Sequence, residues 1–429
     1  MGKQILKELP ELVQAQVITE DTAQRIKDYY QNQPSQSANR LFIVFGILGS
    51  LLIGMGIVLI LAHNWDDLSK VVKLTVGFLP LLIGQGATAY VLLKKPEARA
   101  WREATATFLF FAIAISISIV SQVYNIEGDL GGFLFIWMCL ALPIAYILRS
   151  NVASLLFISG ITWYACEVGY SNYPSSNALP YWIFIALILP FYYLEFIRKN
   201  LKNNFFYFHS WFLVLSLTIC LGVFADQGAE IFLVAYMSLF SGFILISQMK
   251  DFETGRVLSN AYLIGGSLGV IVLLLALSFD WYWDQLNDNS ITNVFIGSEF
   301  VVSSILTLFS IVLLQFLLRV KKWNELNAKS YAFILFIILF FIGLYAPAIA
   351  QLLVNLLILL LAVHTIQDGA KRNHLGILNY GLLIITALIG CRFFDTDFSF
   401  ILRGLLFIGI GIGFFIANYY VIKKRRKEV

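Results

Sequence analysis

From residue 41 onward the chain alternates long apolar runs with short polar breaks, and this pattern dominates any reading of it. Such runs fall near 42–62, 71–93, 105–124, 130–148, 152–166, 179–197, 205–224, 228–247, 260–279, 299–318, 331–346, 348–366, 377–391 and 400–421. A helix rises 1.5 Å per residue, so about 20 residues cross a hydrocarbon core roughly 30 Å thick. The runs at 152–166, 331–346 and 377–391 are short for that and suit tilted helices or half-helices. None alternates as a barrel strand does, and lipid leaves only helices or closed barrels as spanning forms. The expected fold is all-α: a polytopic transmembrane helical bundle of about fourteen spans.

The first 40 residues break this pattern. Ile5, Leu6, Leu9, Leu12 and Val13 recur at helical spacing, and Thr19-Glu20-Asp21 reads as an N-cap with acidic residues in the first turn of a second helix. This predicts a small N-terminal helical hairpin in the cytoplasm, with Gln31–Arg40 as a polar linker. The expected organisation is a hairpin and linker over 1–36, a bundle over 41–422 and a basic tail over 423–429. The polar start, and His63-Asn64-Trp65 after the first run, argue against a cleaved signal peptide.

Charge supplies the orientation. If the N-terminus is cytoplasmic and the spans alternate, the outer segments hold only Lys70, Lys73, Arg392 and Arg403 of the 30 basic residues. That asymmetry is what the positive-inside rule requires, and it favours an even number of spans. The expected location is the bacterial cytoplasmic (inner) membrane, multi-pass, with both termini inside. The net charge of +4 is the balance of a basic inner face and an acidic outer one, so it points to no nucleic acid. Hydrophobic residues make up 59% of the chain and charged ones 13%, which lipid accommodates and a water-soluble core of this length does not. The lipid bilayer is the one partner implied throughout, with residues 1–33 free to meet a cytoplasmic protein.

The stretch LPELVQAQVITEDTAQRI, the run GIVLILAHNWDDLSKVVKL and the segment SQVYNIEGDLGGFLFIWMCLALPIAYILRS resemble a family of bacterial integral membrane proteins known as domain of unknown function 2157. The resemblance covers roughly residues 5–150 and fades across the middle, while RFFDTDFSFILRGLLFIGIGIGFFIAN near the C-terminus is also similar to proteins of this group. It implies a polytopic membrane protein and no particular activity.

Candidate sites are few. His63, Asn64, Trp65, Asp66 and Asp67 close the first span on the outer face, either as a polar cluster for a cation, sugar or head group or as a helix end with an interfacial tryptophan. Arg392, Asp395, Asp397 and Arg403 border the last pair of spans on that face. There they snorkel to the interface or turn inward to meet Asp66 or Asp67. Ser118 and Gln122 share a helical face with Ser121, and Gln351 and Asn355 share another. Each pair lines a pathway or, the better reading, bonds across helices. Gly265/Gly269 and Gly409/Gly413 have the spacing of close helix packing. Trp281, Tyr282 and Trp283 fit an interfacial aromatic belt.

Cys139, Cys166, Cys220 and Cys391 fall in apolar runs without ligand spacing, so no disulfide, metal or other cofactor is expected. Neither HExxH nor GxSxG occurs, which disfavours hydrolase and metalloprotease chemistry. A transporter or flippase for a small or lipid-linked substrate ranks first. A membrane enzyme acting on a lipid-linked substrate at the outer face, and a non-catalytic scaffold or sensor, are the alternatives.

Overall fold

A computed structural model describes residues 9–32, 44–53, 55–56, 59, 68–171, 178–225, 229–253, 259–288, 297–395 and scattered positions between 401 and 419. Among these residues there is helix and turn but no strand. Among the described residues nine helices are long and apolar enough to cross a membrane, and four shorter apolar helices accompany them.

In chain order the helices are α1 (Glu20–Asn32), α2 (Val44–Ile53), α3 (Lys70–Lys94), α4 (Arg99–Tyr124), α5 (Leu130–Ile147), α6 (Asn151–Tyr170), α7 (Leu179–Tyr192) and α8 (Asn204–Leu221). They continue as α9 (Ala229–Ser247), α10 (Ala261–Ala276), α11 (Trp281–Asp288), α12 (Ser298–Leu318), α13 (Ala332–Gly343), α14 (Pro347–Lys371) and α15 (Leu375–Asp395). Thr19 caps α1, accepting from the Thr22 amide at 3.3 Å, as its sequence implies.

The chain divides into two compact units. The first comprises residues 1–128 and 139–153, the second residues 129–138 and 154–429. In the first, α3 and α4 form a close antiparallel pair. Gly77 lets Ile119 approach so nearly that a Cβ at 77 would lie 2.7 Å from it, and the Ser116 hydroxyl donates across the pair to the Gly77 carbonyl at 3.0 Å. Asn125, in the left-handed region with φ of 48°, ends α4.

The second unit is built around α9, whose neighbours include α10, α12 and α13, with α14 and α15 as a further antiparallel pair. Its core contains Phe240, Phe243, Ile244, Leu274, Phe333 and Phe336. Glycine permits the tightest crossings. A Cβ at Gly266 would lie 2.5 Å from the Phe240 carbonyl oxygen, and one at Gly369 would lie 2.4 Å from the Leu378 nitrogen. Gly265 and Gly269 pack as their spacing predicts, whereas Gly409 and Gly413 face open space among the described residues.

Several expectations change. α6 spans 20 residues and is not the short helix expected at 152–166. Of the expected aromatic belt, only Trp281 is exposed. Tyr282 and Trp283 are buried in the core of the second unit, donating to the carbonyls of Glu230 at 2.9 Å and Leu277 at 2.8 Å. The short helix α11 turns these two rings inward, which satisfies both polar groups without water. Cys139 is exposed, although its apolar run suggested burial; all four cysteines are free thiols.

Candidate functional site

Among the described residues three charged side chains are buried, Glu103 in the first unit and Glu299 and Lys329 in the second. Glu103 and Lys329 lie at the ends of apolar runs, where the sequence reads as loop.

In the first unit Glu103 is 1% exposed. α4 begins at Arg99, ahead of the apolar run at 105, so Glu103 enters the helix and its carboxylate reaches the start of α6. One oxygen accepts from the Ser150 hydroxyl at 2.5 Å and the Val152 amide at 3.0 Å, and the other from the Asn151 amide at 3.1 Å. The Arg99 guanidinium lies 3.8 Å away. A carboxylate at a helix N-terminus takes up backbone donors that have no partner within the helix and meets the positive end of the dipole. The Asn151 side-chain amide supplies a fourth donor at 3.4 Å, so the carboxylate is fully engaged and the chemistry open to it is capping.

In the second unit the segment between α12 and α13 is held by side chains at the end of α9. Gln248 accepts from the Asn327 amide at 2.8 Å and donates to the Ser330 hydroxyl at 2.8 Å. Lys321 donates to the Gln248 carbonyl at 2.8 Å and pairs with Glu253 at 2.7 Å. Asn327 then caps the 3₁₀ turn Ala328–Tyr331, accepting from the Lys329 amide at 3.1 Å. This turn directs Lys329 inward, where only 5% of it is exposed. Its ammonium donates to the Thr365 hydroxyl of α14 at 2.8 Å and lies 5.4 Å from the centre of the Tyr380 ring of α15. The Thr365 hydroxyl in turn donates to the Leu361 carbonyl at 2.6 Å. Lys329 lies ahead of the spanning helix α13, and burial lowers its pKa from 10.5 to about 8, against the raising influence of the Asp368 carboxylate.

Lys329 opens onto a cavity of about 590 Å³ walled by α10, α14, α15 and the 324–329 segment. Leu263 and Ser267 form one wall and His364, Asp368 and Lys371 another. The turn that joins α14 to α15 closes one end. Asn373 takes a left-handed φ of 51° there, and the His374 amide bonds back to the Gly369 carbonyl at 2.9 Å. His374 caps α15 through its ring nitrogen, which accepts from the Ile377 amide at 3.2 Å.

The residues singled out from sequence fall elsewhere. His63, Asn64, Trp65, Asp66, Asp67, Asp397 and Arg403 lie outside the described residues, and Arg392 and Asp395 are described only as backbone at the end of α15. On α4 the buried face carries Ser116, Ile119 and Val123, while Ser118 is half-buried and Gln122 exposed. Gln351 and Asn355 do come together, for both donate to the Ser278 carbonyl at 3.2 Å. That bond ties α14 to the end of α10 and is helix-to-helix glue.

Sequence reasoning missed Glu103, Lys329, Thr365 and Tyr380. Glu103 and Lys329 each stand two residues before an apolar run, a position that reads as a loop charge. No local spacing joins residues 36 positions apart, as Lys329 and Thr365 are.

The α3–α4 pair and the Glu103-capped start of α6 form one continuous sequence block, and comparison with known families falls on that block. Residues 10–154 match the family described as predicted membrane protein, domain of unknown function 2157. The match takes in Glu103 and its partners Ser150 to Val152 and stops short of the Lys329 cavity. No curated protein and no solved structure matches the chain.

Proposed function

We propose that the protein is a carrier, a transporter or flippase for a small or lipid-linked substrate, and that the substrate enters the second unit beside Lys329. The observation that carries this reading is the cavity. At about 590 Å³ it has the size of a small-molecule site. Its walls come from three apolar helices, of which α14 is long enough to cross a membrane and α10 and α15 are shorter, and one buried cation projects among them. Ionisable groups set among membrane helices mark substrate paths more often than packing. A non-catalytic scaffold has no need of such a space.

By the positive-inside rule the basic residues of 319–329 and 371–372 favour a cavity mouth on the cytoplasmic side, which is the orientation this reading adopts. In the same orientation the N-terminal helices are cytoplasmic and available to a protein partner.

Reconstituted full-length protein tests this reading. Liposomes carrying fluorescent phosphatidylglycerol should lose more than their outer-leaflet signal to dithionite, or liposomes loaded with radiolabelled phosphate should release it faster than empty ones. Ile264→Trp, which fills the cavity from α10, should abolish whichever flux appears. Absence of both fluxes, or flux unaffected by the plug, would refute the carrier reading.

A further inference from the structure

We propose that the cavity beside Lys329 binds a phosphate-class oxyanion, with the Lys329 ammonium as its buried counter-charge; this rests on the cavity being a substrate site. An ammonium has three donors. Thr365 takes one, and the Tyr380 ring covers one side without accepting a conventional hydrogen bond. Among the described residues no carboxylate lies within 4.0 Å of the Lys329 nitrogen. Asp368, the acidic neighbour, is engaged by Arg372 at 2.7 Å. Glu325 is turned back on its own segment, accepting from the Lys322 amide at 3.3 Å. A charge taken out of water is costly until something compensates it. Here the protein supplies a hydroxyl and a ring, and leaves the counter-charge to a ligand.

The rest of the lining favours the same sign. With Arg372 and Asp368 paired, Lys371 at the rim adds a second positive group. The first turn of the 21-residue helix α15 also borders the space through His374, Gly376 and Ile377. The Ile377 amide is taken there by the His374 ring, which also lies 3.1 Å from where a Cβ on Gly376 would stand, so this end adds the positive pole of the helix dipole to the lining. The two sources of such a group are a lipid head group and a free phosphate. The chemistry at Lys329 is common to both.

The test is binding to the full-length protein in detergent at fixed ionic strength. It is read as thermal shift against inorganic phosphate, pyrophosphate, dihexanoyl phosphatidylglycerol and dihexanoyl phosphatidylcholine. At least one anionic probe should raise Tm in a saturable way, and the zwitterionic lipid should do so less. Saturation by phosphatidylglycerol alone identifies a head group, and saturation by phosphate or pyrophosphate alone identifies a free anion. Lys329→Met, which keeps the length of the side chain and removes its charge, should weaken binding about a hundredfold. Lys371→Gln, at an exposed rim position, should weaken it several-fold, and the distant Lys250→Gln should not. No saturable shift with any anionic probe would overturn the proposal, and so would equal binding by wild type, Lys329→Met and Lys371→Gln. Flux that survives Lys329→Met would leave the carrier reading standing and sink this one. Anion binding without flux would do the reverse.

Discussion

Lys329 donates to the Thr365 hydroxyl across 2.8 Å, tying the 3₁₀ turn before α13 to the middle of α14's polar end. One side chain thereby commits a charge to the interior of the second unit. The consequences for stability and for pH follow from that placement.

The first prediction is a pH dependence. In the folded chain Lys329 releases its proton near pH 8, whereas in the unfolded chain it holds the proton to about 10.5. Between those values the unfolded state binds more protons, so stability rises with pH through that window, and below it the buried charge is a standing cost. The charged and titratable groups that line the same cavity are His364, Asp368 and Lys371 on α14, Arg372 and His374 in the turn that follows, Tyr380 on α15, and Glu325 on its own segment. Thermal melts of wild type from pH 7 to 10.5 should show this rise. Lys329→Met should be at least as stable as wild type at pH 7 and should lack the rise. A parallel pH profile in the variant would show that the titration belongs to another group.

The second concerns Glu103. Glu103→Ala leaves the Asn151 and Val152 amides and the Ser150 hydroxyl buried without their acceptor. An orphaned buried donor costs about 1–3 kcal/mol, so the variant should lose roughly 3 kcal/mol or more, seen as a lower Tm. Glu103→Gln keeps one acceptor oxygen and should lose less. Flux should survive in any molecules that fold, because the role is capping.

Much of the architecture is legible in the hydrophobic pattern. Twelve of the fourteen expected runs coincide with described helices, nine of which are long enough to cross a membrane, while the first and the last fall on positions only partly described. The lengths were less legible, because apolar runs mark what lies in lipid and not where a helix stops. α4 starts six residues before its apolar run, and α14 extends five beyond the expected end at 366. Those extra turns carry Glu103 and Asp368, so the polar chemistry sits just where the pattern falls silent. Gln351 and Asn355 were legible as a pair because a four-residue spacing suffices to align them. Lys329, Thr365 and Tyr380 were not, since only the tertiary fold unites them.

For that amide pair the expectation is modest. Gln351→Leu or Asn355→Leu should each cost about 0.6 kcal/mol, the average for interhelical hydrogen bonds in membranes. The Asn355 side-chain oxygen is buried without a partner, so its removal gives back part of that cost. Thermal melts measure the loss, and unchanged flux in the same variants distinguishes glue from a pathway.

Orientation rests on the basic residues and is open to direct labelling. Single cysteines at residues 200 and 250 in a cysteine-free background should react with an impermeant maleimide only after the inner face is exposed. Positions 125–129, 284 and 285, which are exposed, should react from outside. Labelling of residue 200 from the outer side would invert the map and put the cavity mouth on the other face.

The most direct test of the carrier account is the accessibility of position 264, on the cavity wall, across a sealed membrane. Ile264→Cys in the cysteine-free protein is reconstituted, and an impermeant thiol reagent is applied to one face at a time. A carrier exposes its site alternately to the two sides, so the account predicts modification from both faces, at rates altered by the anionic probes. Modification from the Lys371 side alone, with or without those probes, would contradict it.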